Sequence, residues 1–145
     1  METLEFKIEI DAPKEKVWKV LWDDETYRKW TAAFCEGTYA ISDWNEGNKT
    51  HFLSQNGEGM NSVIESKIVN EYMAFKHISE LKNFIEMPID EAVQEWTGAM
   101  ETYQLSSSTS GTVLSVAMDC LAQYVDYFKN TFPKGLAVVK QLSEK

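Results

Sequence analysis

Leu4-Glu5-Phe6-Lys7-Ile8-Glu9-Ile10, running directly into Asp11-Ala12-Pro13-Lys14-Glu15-Lys16-Val17-Trp18, decides how the rest of the chain is read. The first stretch alternates apolar and charged residues, the period of a strand with one buried face. Pro13 then presets φ for a first helical turn, where its missing N–H costs nothing. Val17, Trp18, Val20, Leu21 and Trp22 give that helix a wide apolar stripe. A second short helix is expected over residues 25–30. From about residue 38 the period changes to two, with strands over residues 38–44 and 49–55. Asn45-Glu46-Gly47-Asn48 between them reads as a hairpin turn, its glycine free to take φ > 0. Asn56-Gly57-Glu58-Gly59 makes the next turn, and further strands are expected over residues 60–70, 72–81, 95–105 and 112–121. Ser106-Ser107-Ser108-Thr109-Ser110-Gly111 is a polar turn too short to link domains. From about Gln123, Val125, Phe128, Phe132, Leu136, Val139 and Leu142 recur at helical spacing. Pro133 inside that run predicts a kink or break.

Strands segregated from helices in this order indicate an α+β protein. The expected architecture is a curved antiparallel sheet of about six to seven strands gripping a long C-terminal helix, with two short helices after the first strand. All 145 residues fit one domain at the usual ~100–200 residues. Apolar residues make up 43% and aromatics 12%, enough to build a core without disulfides or metal. That composition excludes a disordered chain.

Charge narrows the partners. Lysine and arginine number 14 against 23 acids, a formal net charge of −9. Nucleic acid needs a cationic footprint and an anionic membrane surface repels acidic chains, so neither is expected as a partner. The N-terminus carries no basic and apolar signal segment, and no run approaches the ~20 apolar residues of a membrane span. Cys35 and Cys120 stand far apart, without metal or redox spacing, and read as small buried apolar residues in a reducing compartment. A soluble, cytoplasmic protein without metal or cofactor is the expectation.

Several stretches resemble a known superfamily. Residues Ile10 to Trp18 are similar to the "ap-x-x-x-V-W" opening of START-like (SRPBCC, helix-grip) domains, and Trp30 to the tryptophan that ends their small helix. Asp43-Trp44-Asn45-Glu46-Gly47 followed by Phe52 resembles the "W-x-x-G" hairpin of the branch of heat-shock chaperone ATPase activators. Tyr103-Gln104-Leu105 and Gly111-Thr112-Val113-Leu114-Ser115-Val116 resemble its "Y-x-L … G-T-x-L-x-V" hairpin, and Val139-Lys140-Gln141-Leu142 its closing "L-K-x-x-L" region. The resemblance spans nearly the whole chain. It implies an apolar cavity between sheet and long helix, in a superfamily whose members bind lipids, sterols or plant hormones or cyclise aromatic polyketides. It also implies a heat-shock chaperone as an alternative partner. Eukaryotic activators carry an additional N-terminal domain for which this length leaves no room.

Alternation supplies the candidate cavity residues. Met73, Phe75 and His77 share one face, as do Tyr103 and Leu105, and Leu114, Val116 and Met118. Trp44 and Phe52 join from earlier strands, and Phe128, Phe132 and Leu136 from the helix. Such a lining suits a small hydrophobic ligand; the competing expectation is a filled core. His77 is the polar group to single out, able to hydrogen-bond a ligand or act as a base. Glu101 and Tyr103 stand where they can join it, and the three are the candidates for acid/base chemistry. His51 alternates away from Phe52 and is expected to be exposed, as are Asp23-Asp24-Glu25. Phosphate-loop, nucleophile-elbow, dinucleotide and zinc motifs are missing.

Residues 82–93 break the strand period. Lys82-Asn83-Phe84-Ile85-Glu86-Met87-Pro88-Ile89-Asp90 carries apolar residues in a loop, either a lid with Phe84 and Met87 over a cavity mouth or a short helix on the sheet edge. The leading expectation is a protein binding a small hydrophobic molecule. The alternatives are a cyclase- or hydrolase-like acid/base enzyme and a chaperone-associated interaction module.

Overall fold

The computed structural model describes the whole chain, residues 1–145. Strict alternation builds β1 (Glu2–Ile10), and Pro13 stands at the N-cap of α1 (Lys14–Trp22) with its carbonyl accepting from Lys16 and Val17. α2 (Asp24–Thr31) follows after a single residue. Then come β2 (Tyr39–Ser42), β3 (Lys49–Leu53), β4 (Gly59–Ile68), β5 (Tyr72–Lys82), the two-residue β6 (Ile85–Glu86) and one helical turn, α3 (Glu91–Gln94). β7 (Met100–Ser108), β8 (Gly111–Cys120) and the long α4 (Val125–Ser143) complete the chain.

All pairings are antiparallel, in the order β1-β8-β7-β5-β4-β3-β2, with β6 pairing β5 off this path. The sheet is open, because no pairing joins β1 to β2. This is the α+β architecture expected, with the sheet on one side and α1, α2 and α4 on the other. α4 rests on β1, α1 and α2. Phe132, Leu136 and Val139 are its buried apolar face, and the Phe132 ring stacks on Phe6 at 4.9 Å. Gly135 sits where a Cβ would lie 3.2 Å from both the Trp30 carbonyl oxygen and the Phe34 ring, so its missing side chain lets α4 approach α2. The core on the inner face of the sheet is aromatic at its centre: the Trp22 ring meets Trp44, Phe75 and Tyr103 at 4.9–5.5 Å. Such tilted and edge contacts add to what burial alone contributes.

Several expectations are corrected. α4 runs without a break through Pro133. Pro133 is exposed, so its ring meets solvent and only one backbone bond, to the carbonyl of Lys129, is lost. The β7–β8 turn is two residues, because β7 extends to Ser108 and spends its polar serines on the ladder. The strand expected from residue 95 starts at Met100, after a turn that holds Trp96. Cys35 is exposed; only Cys120 is buried. His51 is half-buried, 3.0 Å from the Glu86 carboxylate, which also holds Lys49.

Of the two arrangements expected over residues 82–93, a lid or a short edge helix, a helical turn forms only at Glu91–Gln94, and the break itself is a hairpin. Asn83 and Phe84 both take positive φ (51° and 66°), the geometry of a two-residue hairpin turn, and β5 folds back into β6 at the sheet edge. Phe84 is pinned there: its N–H donates to Gly57 O at 2.9 Å and its ring fills the space a Cβ on Gly57 would need. Phe84 is exposed on its other side.

Pro133→Ala should restore the missing helical bond at an exposed position. A gain in unfolding free energy of up to ~3 kcal/mol in urea denaturation is expected, and no gain would mean α4 is already strain-free there.

Candidate functional site

A cavity of about 480 Å³ lies between the sheet and the N-terminal half of α4, within the range of small-molecule sites. α2 contributes Tyr27, Trp30 and Thr31, with Phe34 just beyond it. The strands contribute Phe52, Met60, His77, Glu101, Tyr103 and Met118. Tyr124, Tyr127, Phe128 and Phe132 close the helix side. The half-exposed Tyr124 and Tyr127 mark its mouth.

Two irregularities in the β4–β5 ladder place the polar group of this cavity. Ile78 on β5 and Glu65 on β4 have no opposite partner, so the register shifts and Ser62 faces His77. A bulge of this kind re-aims a side chain at the cost of one ladder pairing. β5 stays attached to the chain ahead of β7 through His77 N to Ala99 O and Gly98 N to His77 O, both 2.8 Å. Glu101 and Tyr103 alternate inward on β7, two residues apart.

The result is a connected polar cluster in an aromatic wall. His77 Nε2 lies 3.0 Å from Glu101 Oε1, the Tyr103 hydroxyl donates to Glu101 Oε2, and Ser62 Oγ lies 2.6 Å from His77 Nδ1. An ionised carboxylate only accepts, so Nε2 carries the proton toward Glu101, and in the neutral ring Nδ1 accepts from Ser62. Burial pushes the Glu101 carboxyl up. The hydrogen bond from His77, the electrostatic attraction to it and the Tyr103 hydroxyl together outweigh that, and hold the carboxyl below its ordinary range. Burial first, then the Glu101 charge, pushes both Tyr103 and Tyr27 far up, so both phenols stay protonated. Such a cluster can accept a hydrogen bond from a bound molecule or pass it a proton.

Of the residues singled out from the sequence, Phe52, His77, Glu101, Tyr103, Met118, Phe128 and Phe132 border this cavity. Phe75, Leu105, Leu114, Val116 and Leu136 do not; they are fully packed core. Trp44 and Met73 border a separate groove beside Trp18, Trp22 and Lys67. Phe84 and Met87 stand at the sheet edge and line neither. Sequence reasoning missed α2 as a wall: Tyr27, Trp30 and Phe34 recur at i, i+3 and i+7, one helical face, and that spacing was the available signal. Ser62 carried none, because its role depends on a bulge.

An open antiparallel sheet holding a long C-terminal helix, with a cavity between them, defines a START-like helix-grip protein. Within that superfamily the chain belongs to the Activator of Hsp90 ATPase homolog 1-like protein family, matched over residues 11–133. Among solved structures it is similar to protein MLL2253 of Mesorhizobium loti, at 15% identity and a TM-score of 0.75, covering 97% of this chain and 96% of that one. It is also similar to the Aha1 dimer of Colwellia psychrerythraea, at 20% identity and a TM-score of 0.73, covering 99% of this chain and 97% of that one. DynU16, a protein of the dynemicin biosynthetic locus, aligns at 12% identity and a TM-score of 0.69, over 97% of this chain but 46% of its own. At these identities the likeness is one of fold. No curated protein matches the sequence. No helix is long and apolar enough to cross a membrane.

Because the Glu101 carboxyl is held low in the folded protein, its bonds stabilise the fold above the ordinary carboxylate range and are lost as pH falls through the folded value. Glu101→Gln should therefore lower Tm at pH 7, with the gap to the wild type closing as pH falls below about 4. A gap that stays constant to pH 3 would show that the carboxylate charge is not what the cluster stabilises.

Proposed function

We propose that the protein binds a small, largely apolar molecule in the cavity between sheet and α4. The observation that carries this reading is an aromatic cavity of about 480 Å³ into which a single connected polar cluster, His77, Glu101 and Tyr103, converges. Apolar walls supply affinity and the few polar groups fix orientation, the usual division of labour in such sites. A filled core at native density would leave no such volume.

One observation favours a second reading on the same site. Ser62, His77, Glu101 and Tyr103 stand within hydrogen-bond reach in sequence, so a bound substrate could exchange a proton with the cluster. Native mass spectrometry and extraction of protein purified from its own host supply the molecule to test. If the site performs acid/base work, Glu101→Gln abolishes its conversion while binding persists; an unchanged molecule in the wild type leaves binding as the function.

Ala99 borders the cavity, and Ala99→Phe places a ring in it. With cooperative urea unfolding retained, decanol affinity measured by calorimetry should fall about tenfold or more, the loss of ~1.4 kcal/mol or more of apolar contact. Equal affinity in the two proteins would place binding elsewhere.

A further inference from the structure

The cavity has a charge as well as a shape. Its walls contain three carboxylates, Glu80, Glu101 and Asp119, and neither lysine nor arginine. Two of the three are paired with groups outside the cavity lining, whereas both partners of Glu101 line it themselves. Asp119 accepts from the Met100 N–H and from the Thr3 hydroxyl, and Glu80 lies 3.8 Å from the Lys82 ammonium. Glu101 is different. Its side chain keeps 20% of its surface open, and each oxygen holds one hydrogen bond within the protein, leaving further lone pairs for a guest.

A second, independent feature faces the same space. Tyr27 is only 6% exposed and lines the cavity, and its hydroxyl makes no hydrogen bond within the protein. Its oxygen is not sealed off within the core, so a molecule in the cavity can complete the pairing. Both residues line the one cavity, and the Phe52 ring lies 6.4 Å from the Tyr27 ring and 6.1 Å from the ring of His77, which holds Glu101. Trp30, Phe34 and Phe52 line the same cavity. Aromatic faces carry negative quadrupole charge and attract cations, most strongly where water is excluded.

Resting on the ligand-binding reading above, we infer that the molecule bound is a cationic one: an apolar body bearing a protonated amine, its ammonium seated between the Glu101 carboxylate and the Tyr27 hydroxyl. An anionic amphiphile meets the opposite situation. Its carboxylate would be desolvated beside Glu101 with no lysine or arginine to receive it, a cost that buried like charges do not recover. A neutral alcohol can donate one hydrogen bond to Glu101 but gains no charge interaction. The net charge of −9 acts in the same direction by raising the local concentration of cations.

The test compares decylamine, decanol and decanoate by isothermal titration calorimetry at pH 7, with amide shift maps locating each on the cavity residues. The tails are equal, so differences report the head group. The inference expects the amine to bind at least about tenfold tighter than the alcohol, as a charged hydrogen bond implies, and the acid weakest of the three. Glu101→Gln, which keeps the side chain's shape, should erase the amine's advantage over decanol; Tyr27→Phe should reduce it in part. The wild-type series alone remains decisive should a variant not fold. Decanol bound in the cavity with no gain for the amine, or with decanoate its equal, overturns the cationic assignment and leaves the cavity reading standing. Failure of all three to bind overturns the cavity reading itself.

Discussion

One helix has to cover the inner face of an open, predominantly long-stranded sheet, and α4 does so unevenly. Its C-terminal half, through Leu136 and Val139, is buried against α1, β1 and the core. Its N-terminal half carries the large rings of Tyr127 and Phe128, with Tyr124 just ahead of it, and these line the space between helix and sheet. Gly135 permits the close approach to α2 that anchors the packed half. The solid core and the cavity are thus two ends of one packing arrangement, divided near Phe132, which belongs to both.

Placing a carboxylate in such a wall is costly unless its oxygens are paired. Glu101 meets that condition with one donor on each oxygen, and His77 in turn is held by Ser62. The four groups come from three adjacent strands, so the cluster also ties β4, β5 and β7 together at the cavity. The irregular register at Ile78 is what lines Ser62 up with His77. Loss of regular pairing at one point of the ladder and gain of a positioned imidazole are the same structural event.

The edge hairpin at Asn83 and Phe84 shows how a local signal is misread when its cause is distant. The alternation stops there because two successive residues take positive φ, and Phe84 is held in that conformation by Gly57 in another turn. Apolar residues in a loop suggested either a lid or a short edge helix; Phe84 is instead an edge residue fastened to a neighbouring hairpin. Pro133 taught the same lesson in reverse. A residue that breaks an isolated helix is carried without interruption by one already anchored through Leu136 and Val139.

The sequence by itself determined the order of strands and helices, the inward faces of β5, β7 and β8 and the family resemblance. Those features rest on period two and period 3.6, which neighbouring residues set among themselves. It also brought forward His77, Glu101 and Tyr103, since alternation puts Glu101 and Tyr103 on one face of one strand. What only the tertiary structure decided is which inward residues touch a cavity and which fill the core. Phe75 and Leu114 share the pattern of His77 and Met118, yet the first pair is sealed and the second borders open space. That distinction depends on where α2 and α4 come to rest above the sheet, a matter of long-range packing that no local period encodes.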